Sequence, residues 1–270
     1  MKHPLALALA VAIAATAPTY AKSPKADTTV SAQAINSANP FFVDSPLSLH
    51  YPQFDKIKDA DFAPAFDAGM AEQLKEIDAI ANNPAKPTFD NTIIAMEKSG
   101  RTLTRALTVF FNLVGTDTNP VREKLQGDYA PKFSAHRDAI NLNGKLFARV
   151  KALYDSRTSL GLDAQGVRLV ERYYTDFVRS GANLSEADKT RTKAINSELA
   201  ALGTKFSQNV LAEVNDSAIV VDTREELDGL TDEQIASAAE AAKARKLDGK
   251  YVVALLNTTG QPPVASLSNR

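Results

Sequence analysis

Phe62-Ala63-Pro64-Ala65-Phe66-Asp67-Ala68-Gly69-Met70-Ala71-Glu72-Gln73-Leu74-Lys75-Glu76-Ile77-Asp78-Ala79-Ile80-Ala81 places large apolar residues at Phe62, Phe66, Met70, Leu74 and Ile77, with Ala81 completing the series. Steps of four and three return to one side of a 3.6-residue turn, so the segment reads as a helix with one buried face. Pro84 and Pro87 end it, because a proline ring cannot continue the helical hydrogen-bond ladder. The same period recurs outward from this stretch. Ile93, Met96, Gly100, Leu103, Leu107, Phe110 and Val114 predict a helix from about Asp90. Gly100 on that stripe implies close approach of a neighbouring helix, with a local break as the alternative. Val121, Leu125, Tyr129, Phe133, His136 and Ile140 predict another, bent at Pro131. Leu146, Val150 and Leu153 follow the break at residues 141–144, and Val167, Val170, Tyr174 and Phe177 mark a helix closed by Gly181.

Ser185-Glu186-Ala187-Asp188 has the character of a helix cap. Behind it Ile195, Leu199, Leu202, Phe206, Val210 and Val214 run without interruption, predicting a helix about 45 Å long. The mode then changes. Ala218-Ile219-Val220-Val221 reads as a short strand, Thr231 with Gln234 caps an Ala-rich helix reaching about Arg245, and Tyr251 to Leu256 reads as a second strand. The expected fold class is mainly α, a multi-helix array with a small β-strand pair near the C-terminal end. No internal repeat is evident.

On the N-terminal side, Asn39-Pro40-Phe41-Phe42 and the apolar residues from Leu47 to Phe54 are broken by Pro40, Pro46 and Pro52. They predict an extended arm that packs on something. Residues 22–38 are rich in Ser, Ala and Thr without periodicity, a flexible linker. Residues 1–21 read as a signal peptide: Lys2 and His3, an apolar run from Leu5 to Ala15, then Thr19-Tyr20-Ala21 at the cleavage site. Cleavage after Ala17 is disfavoured because Pro18 would follow directly. The run is too short to span a hydrocarbon core of about 30 Å, and no later run is longer. The expectation is an exported protein, periplasmic or secreted, with no membrane partner after cleavage.

The absence of cysteine fits export without disulfides and removes thiolate chemistry. The 31 basic residues balance 32 acids, and with no long basic tract nucleic acid is not an expected partner. Lys243, Arg245, Lys246 and Lys250 are locally basic, but they follow a predicted helix, whose dipole favours cations at that end. Three histidines are present, and His3 would leave with the signal. His50 and His136 have no second histidine four residues on, and HExxH, two ligands and a base on one helix turn, does not occur. Gly-x-Ser-x-Gly, phosphate-cradling and dinucleotide fingerprints are also missing. Glu225-Glu226 and Asp232-Glu233 fall in loop or helix-start contexts, where acids are electrostatically favoured. Tyr173 could line a groove, whereas Tyr174 falls on the core face. The residues therefore predict no catalytic, cofactor-binding or metal position in this chain.

Six ordered blocks carry a resemblance. They are Phe62-Ala63-Pro64-Ala65-Phe66 with Gly69-Met70-Ala71-Glu72-Gln73; Asn83-Pro84; Pro87-Thr88-Phe89-Asp90-Asn91-Thr92-Ile93; Glu97-Lys98-Ser99-Gly100; Phe177-Val178-Arg179-Ser180-Gly181-Ala182; and Phe206-Ser207-Gln208-Asn209-Val210-Leu211. Together they resemble the N-terminal half of the thimet-oligopeptidase family of zinc metallopeptidases, and more closely its peptidyl-dipeptidase branch, from about Asn39 to Arg270. The resemblance implies one wall of a peptide channel, short unstructured peptides as partners, and release of C-terminal dipeptides. It also implies zinc held through HExxH in a C-terminal catalytic half. No residue here matches that motif, so none is assigned to catalysis or metal, and zinc is not expected in this chain. Residues 39–270 are thus expected to be the helical part of a longer metallopeptidase, inactive alone, since a new segment is barely under way where the sequence stops at Arg270. The alternative is a non-catalytic helical peptide-binding or inhibitory protein, and a third arrangement is complementation by a separately encoded catalytic half.

Overall fold

The computed structural model describes residues 39–255 and 260–268; the expected signal peptide (1–21) and linker (22–38) lie outside the described residues. Helix α1, Asp59–Ala81, is the element the opening stripe predicts. A π-helical turn at Phe89–Ile94, capped by the Thr88 hydroxyl on the Asn91 amide, runs into the short α2, Ala95–Lys98. Then come α3 (Arg101–Thr116), α4 (Pro120–Asn141), α5 (Gly144–Asp155), α6 (Ala164–Arg179) and α7 (Glu186–Asp216). The last part alternates: β1 (Ile219–Val221), α8 (Asp232–Ala244), β2 (Tyr251–Val253) and a final turn α9 (Pro262–Ser266). The strands pair antiparallel, with Val220 opposite Val252. The mainly helical class with a small strand pair is therefore the observed fold.

Two apolar clusters share α1. Its N-terminal half contributes Phe62, Ala65 and Phe66 to a cluster with Phe41, Leu103, Ala106, Phe110 and Tyr129. Phe66 meets Phe110, Tyr129 and Phe133 edge-on at 5.0–5.1 Å, the geometry in which aromatic quadrupoles attract. Its C-terminal half contributes Ile77, Ile80 and Ala81 to a second cluster with Ile93, Met96, Leu146, Val150, Val170 and Phe177. A third, separate cluster joins Val221, Leu227, Ile235, Ala238 and Val253 around the strand pair.

Where α1 crosses α3 the backbones nearly touch. A Cβ on Gly69 would lie 2.8 Å from the Leu103 backbone, inside any tolerable contact. Close approach occurs at Gly69 and also at Gly100, where a Cβ would lie 2.4 Å from the Gln73 side chain of α1, and Gly100 is a break as well. Its φ of 69° breaks the predicted single helix into α2 and α3, in a left-handed conformation that costs glycine little. Glu76 closes the break from α1: its Oε2 accepts the Gly100 amide at 2.7 Å. Other polar ties fix α4 and α5 to the same spine. Asp59 accepts from Arg122 Nε (2.7 Å) and Asn119 Nδ2 (2.8 Å), and His136 Nε2 hydrogen-bonds Gln73 Oε1 at 2.7 Å. The buried Arg149 donates to the Asn83 and Ala85 carbonyls and to Asn91 Oδ1, holding the loop after α1.

The expected arm divides in two. Asn39 and Phe41 are buried, with Phe41 centred 5.2 Å from the Phe62 ring, but Leu47, Leu49 and Tyr51 stand in solvent and Leu49 is 96% exposed. The second strand is also shorter than its apolar run: the ladder stops at Val253, and the turn-rich residues 257–259 lie outside the described residues.

These contacts set two expectations. Gly69→Ala should destabilise by about 1–3 kcal/mol through overpacking. Gly203→Ala on exposed α7, where an added Cβ meets nothing within 4 Å, should stabilise by up to about 1 kcal/mol; urea unfolding midpoints report both. Burial holds the His136 imidazole below its usual pKa, so the native state binds fewer protons than the unfolded chain. Its contribution is complete above the unfolded value of about 6.5 and is lost as pH falls through that value toward the lower native one. Urea midpoints measured from pH 7 to 5.5 should fall for the wild type and fall less for His136→Gln.

Candidate functional site

Among the described residues, two regions present surface beyond what packing uses. The first is a cavity of about 510 Å³ where α1, α2, α4 and α6 meet, lined by Gln73, Met96, Tyr173, Asp176, Phe177 and Arg179. Tyr173 donates its hydroxyl to Glu97 Oε1 at 2.8 Å, and burial with that carboxylate beside it pushes the phenol well above its usual range. A phenol held protonated this firmly is a hydrogen-bond donor and not a base. Asp176 faces Arg172 at 3.6 Å. The cavity can hold a polar group, and its two serines have partners of their own: Ser99 Oγ donates to the Met96 carbonyl at 2.8 Å, and Ser180 Oγ accepts from Asn141 Nδ2 at 3.4 Å.

The histidines are placed apart from one another's elements. His50 sits in the exposed turn of the arm, with Nδ1 3.0 Å from the Ser45 carbonyl oxygen. His136 is half-buried on α4 against Gln73, and its Nδ1 is enclosed without a partner. Among the described residues no group of three or more His, Asp or Glu side chains could hold a metal ion. The donor set that zinc needs, three or four nitrogen, sulfur or oxygen ligands converging on one point, is not assembled by them. The remaining residues weighed in the sequence take local roles. Tyr174 stacks on Tyr154 at 3.8 Å, and Glu226 accepts the Asp222 and Thr223 amides. Asp232 begins α8, and Lys250 pairs with Asp222 at 2.8 Å.

The second region is α7, the long helix that the sequence predicts. The helix packs along α4 through polar groups. Asn196 Nδ2 donates to Asp138 Oδ1 at 2.8 Å, and Gln208 Nε2 to the Glu123 carbonyl at 2.9 Å. Ser134 and Asp138 are buried on α4, and each keeps one oxygen unpartnered. Lys189 is the buried residue of α7. Its apolar residues lie open instead: Ile195 is 40% exposed, Leu199 60%, Leu202 56% and Phe206 70%. At 100° per residue these four share one face, with Asn196 about 90° and Gln208 about 150° round the helix from its centre. The face continues into a second cavity of about 540 Å³, lined by Phe206, Val210, Val214 and Leu255. Large apolar side chains exposed side by side make this face a candidate interaction surface. Reading the period from sequence finds the stripe but not which way it points. The orientation follows from the polar partners on α4, which no periodicity rule separates from ordinary surface residues.

No protein-family model matches the chain. Comparison with curated proteins finds relatives. The chain is 43% identical over 236 residues to a dipeptidyl carboxypeptidase of Escherichia coli (strain K12), covering 87% of this chain and 35% of that protein. A dipeptidyl carboxypeptidase of Salmonella typhimurium is 42% identical over 234 residues, covering 87% and 34%. An oligopeptidase A of Salmonella typhimurium is 22% identical over 208 residues, covering 77% and 30%. The chain thus spans about a third of the length of the curated relatives it matches. Over that span it is a homologue of proteins named dipeptidyl carboxypeptidase and oligopeptidase A.

Proposed function

We propose that this chain is the helical part of an exported zinc peptidase that releases dipeptides from the C-termini of short, unstructured peptides. The observation that carries this reading is the 43% identity, sustained over 236 residues, to a dipeptidyl carboxypeptidase. In this reading the helices around α1 form one wall of a peptide channel, and its width excludes folded substrates. Zinc would supply an activated water in the whole peptidase. The sequence lacks HExxH, which supports assigning the metal and the residues of the chemical step to sequence beyond the matched third. The signal-like character of residues 1–21 supports export. No helix among the described residues is long and apolar enough to cross a membrane.

A second reading, a non-catalytic helical peptide-binding or inhibitory protein, is favoured by one observation, the open apolar face of α7. One experiment separates the two. The purified 270-residue chain, loaded with zinc and dialysed, is expected to retain less than one metal per chain and to release no dipeptides from amino-blocked peptides. Joined to the portion of the Escherichia coli relative that lies outside the match, it is expected to support dipeptide release. Micromolar peptide affinity in the chain alone, with no activity in the joined protein, would favour the binding module.

A further inference from the structure

We propose that the open face of α7, from Ile195 to Phe206 and on into the cavity beside Leu255, is the seat on which the peptidase portion beyond the matched third packs. This rests on the reading of the chain as part of a dipeptidyl carboxypeptidase-type enzyme. Three observations choose that occupant. The first is shape. Ile195, Leu199, Leu202 and Phe206 form a straight row on a 31-residue helix, about 16 Å between the end residues at 1.5 Å per residue. That suits the flank of a helix or sheet.

The second is chemistry. An extended peptide brings an N–H and a C=O at every residue, and each needs a partner when covered. From Ile195 to Phe206 the row itself offers only aliphatic and aromatic side chains; polar ones, Asn209, Glu213 and Ser217, enter where it runs into the cavity. A folded element satisfies its backbone internally and needs nothing from the face but apolar contact, so a packed domain fits the row better than a substrate strand.

The third is size. The match covers 35% of the Escherichia coli relative, so about two thirds of such a protein must meet this third somewhere. On α7 the side facing α4 is already taken by Asn196 and Gln208. The apolar side is the one left open.

The chain contains no cysteine, so Leu202→Cys introduces a single thiol at the middle of the row. Its rate of alkylation, read by peptide mass mapping, is measured in the full 270-residue chain and in a chimera. In the chimera residues 39–270 replace the matching residues of the Escherichia coli dipeptidyl carboxypeptidase. Glu240→Cys, exposed on α8, is the control. The expected result is Leu202→Cys alkylated at an open-solvent rate in the chain and at least tenfold more slowly in the chimera, with Glu240→Cys alike in both. An active chimera in which Leu202→Cys reacts as fast as in the chain overturns the seat and leaves the peptidase reading intact. Protection without dipeptide release upholds the seat and overturns that reading. Protection in the chain alone that grows with its concentration assigns the face to a second copy and overturns the seat. Should the chimera fail to fold, the same cysteine at the aligned position of the intact relative decides: a buried, slow thiol supports the seat, and a fast one refutes it.

Discussion

The absence of a side chain at Gly69 is the constraint on which the rest of the helical array depends. With a Cβ there, α1 and α3 could not cross at the distance that the Leu103 backbone now occupies. Their separation sets the depth of the aromatic cluster on one side, where Phe62 and Phe66 both reach Phe110 at about 5 Å. The same crossing also places Gln73 against Gly100 and Glu76 on its amide. The break between α2 and α3 is thus held by side chains from the helix that α3 crosses. One helix supplies the apolar floor for two clusters and the polar stops that end its neighbours. Interiors packed this tightly cannot give way by a methylene without cost, so the geometry propagates to every element that touches α1.

Helix α7 obeys a different rule. Its contact with α4 uses amides and a carboxylate where bundle helices ordinarily use leucines, and two buried oxygens on α4 remain without a protein partner. Buried polar groups fix register because only one alignment satisfies them, but they contribute little net stability. The helix is therefore positioned by its polar side and left with its apolar side free. That inversion is what the proposed seat on α7 requires.

Much of this was legible in the sequence because local rules and tertiary packing agree over most of the chain. The stripes of α1, α5 and α6 face the clusters that their periods predict, apart from Leu74 on α1, which is exposed, and Thr231 and Gln234 form the reciprocal cap expected of them. The failures have physical causes. A three-four stripe continues through Gly100 because the break rotates the chain without spoiling the spacing. The aromatic arm reads as one packing segment, yet only Phe41 finds a pocket, against Phe62. For α7 the period is right but gives no direction, since amphipathicity reports that a face wants cover and not where the cover comes from. Of the candidate surfaces, HExxH could be sought and found missing from a string of letters. The cavity beside Tyr173 could not, because it is enclosed by residues from four helices that no motif links.

The separation of the three apolar clusters bears on how the molecule opens. The first two share α1 and so rise and fall as one cooperative block. The third, around the strand pair, follows in sequence from the C-terminal end of α7, and its members all lie between Val221 and Leu267. Elements with few buried contacts to the main block melt at lower free energy than the whole. The stretch around residues 216–218 is accordingly the seam at which a subglobal unfolding event would divide the chain. The distal module could detach and re-form there while the α1-centred block keeps its shape.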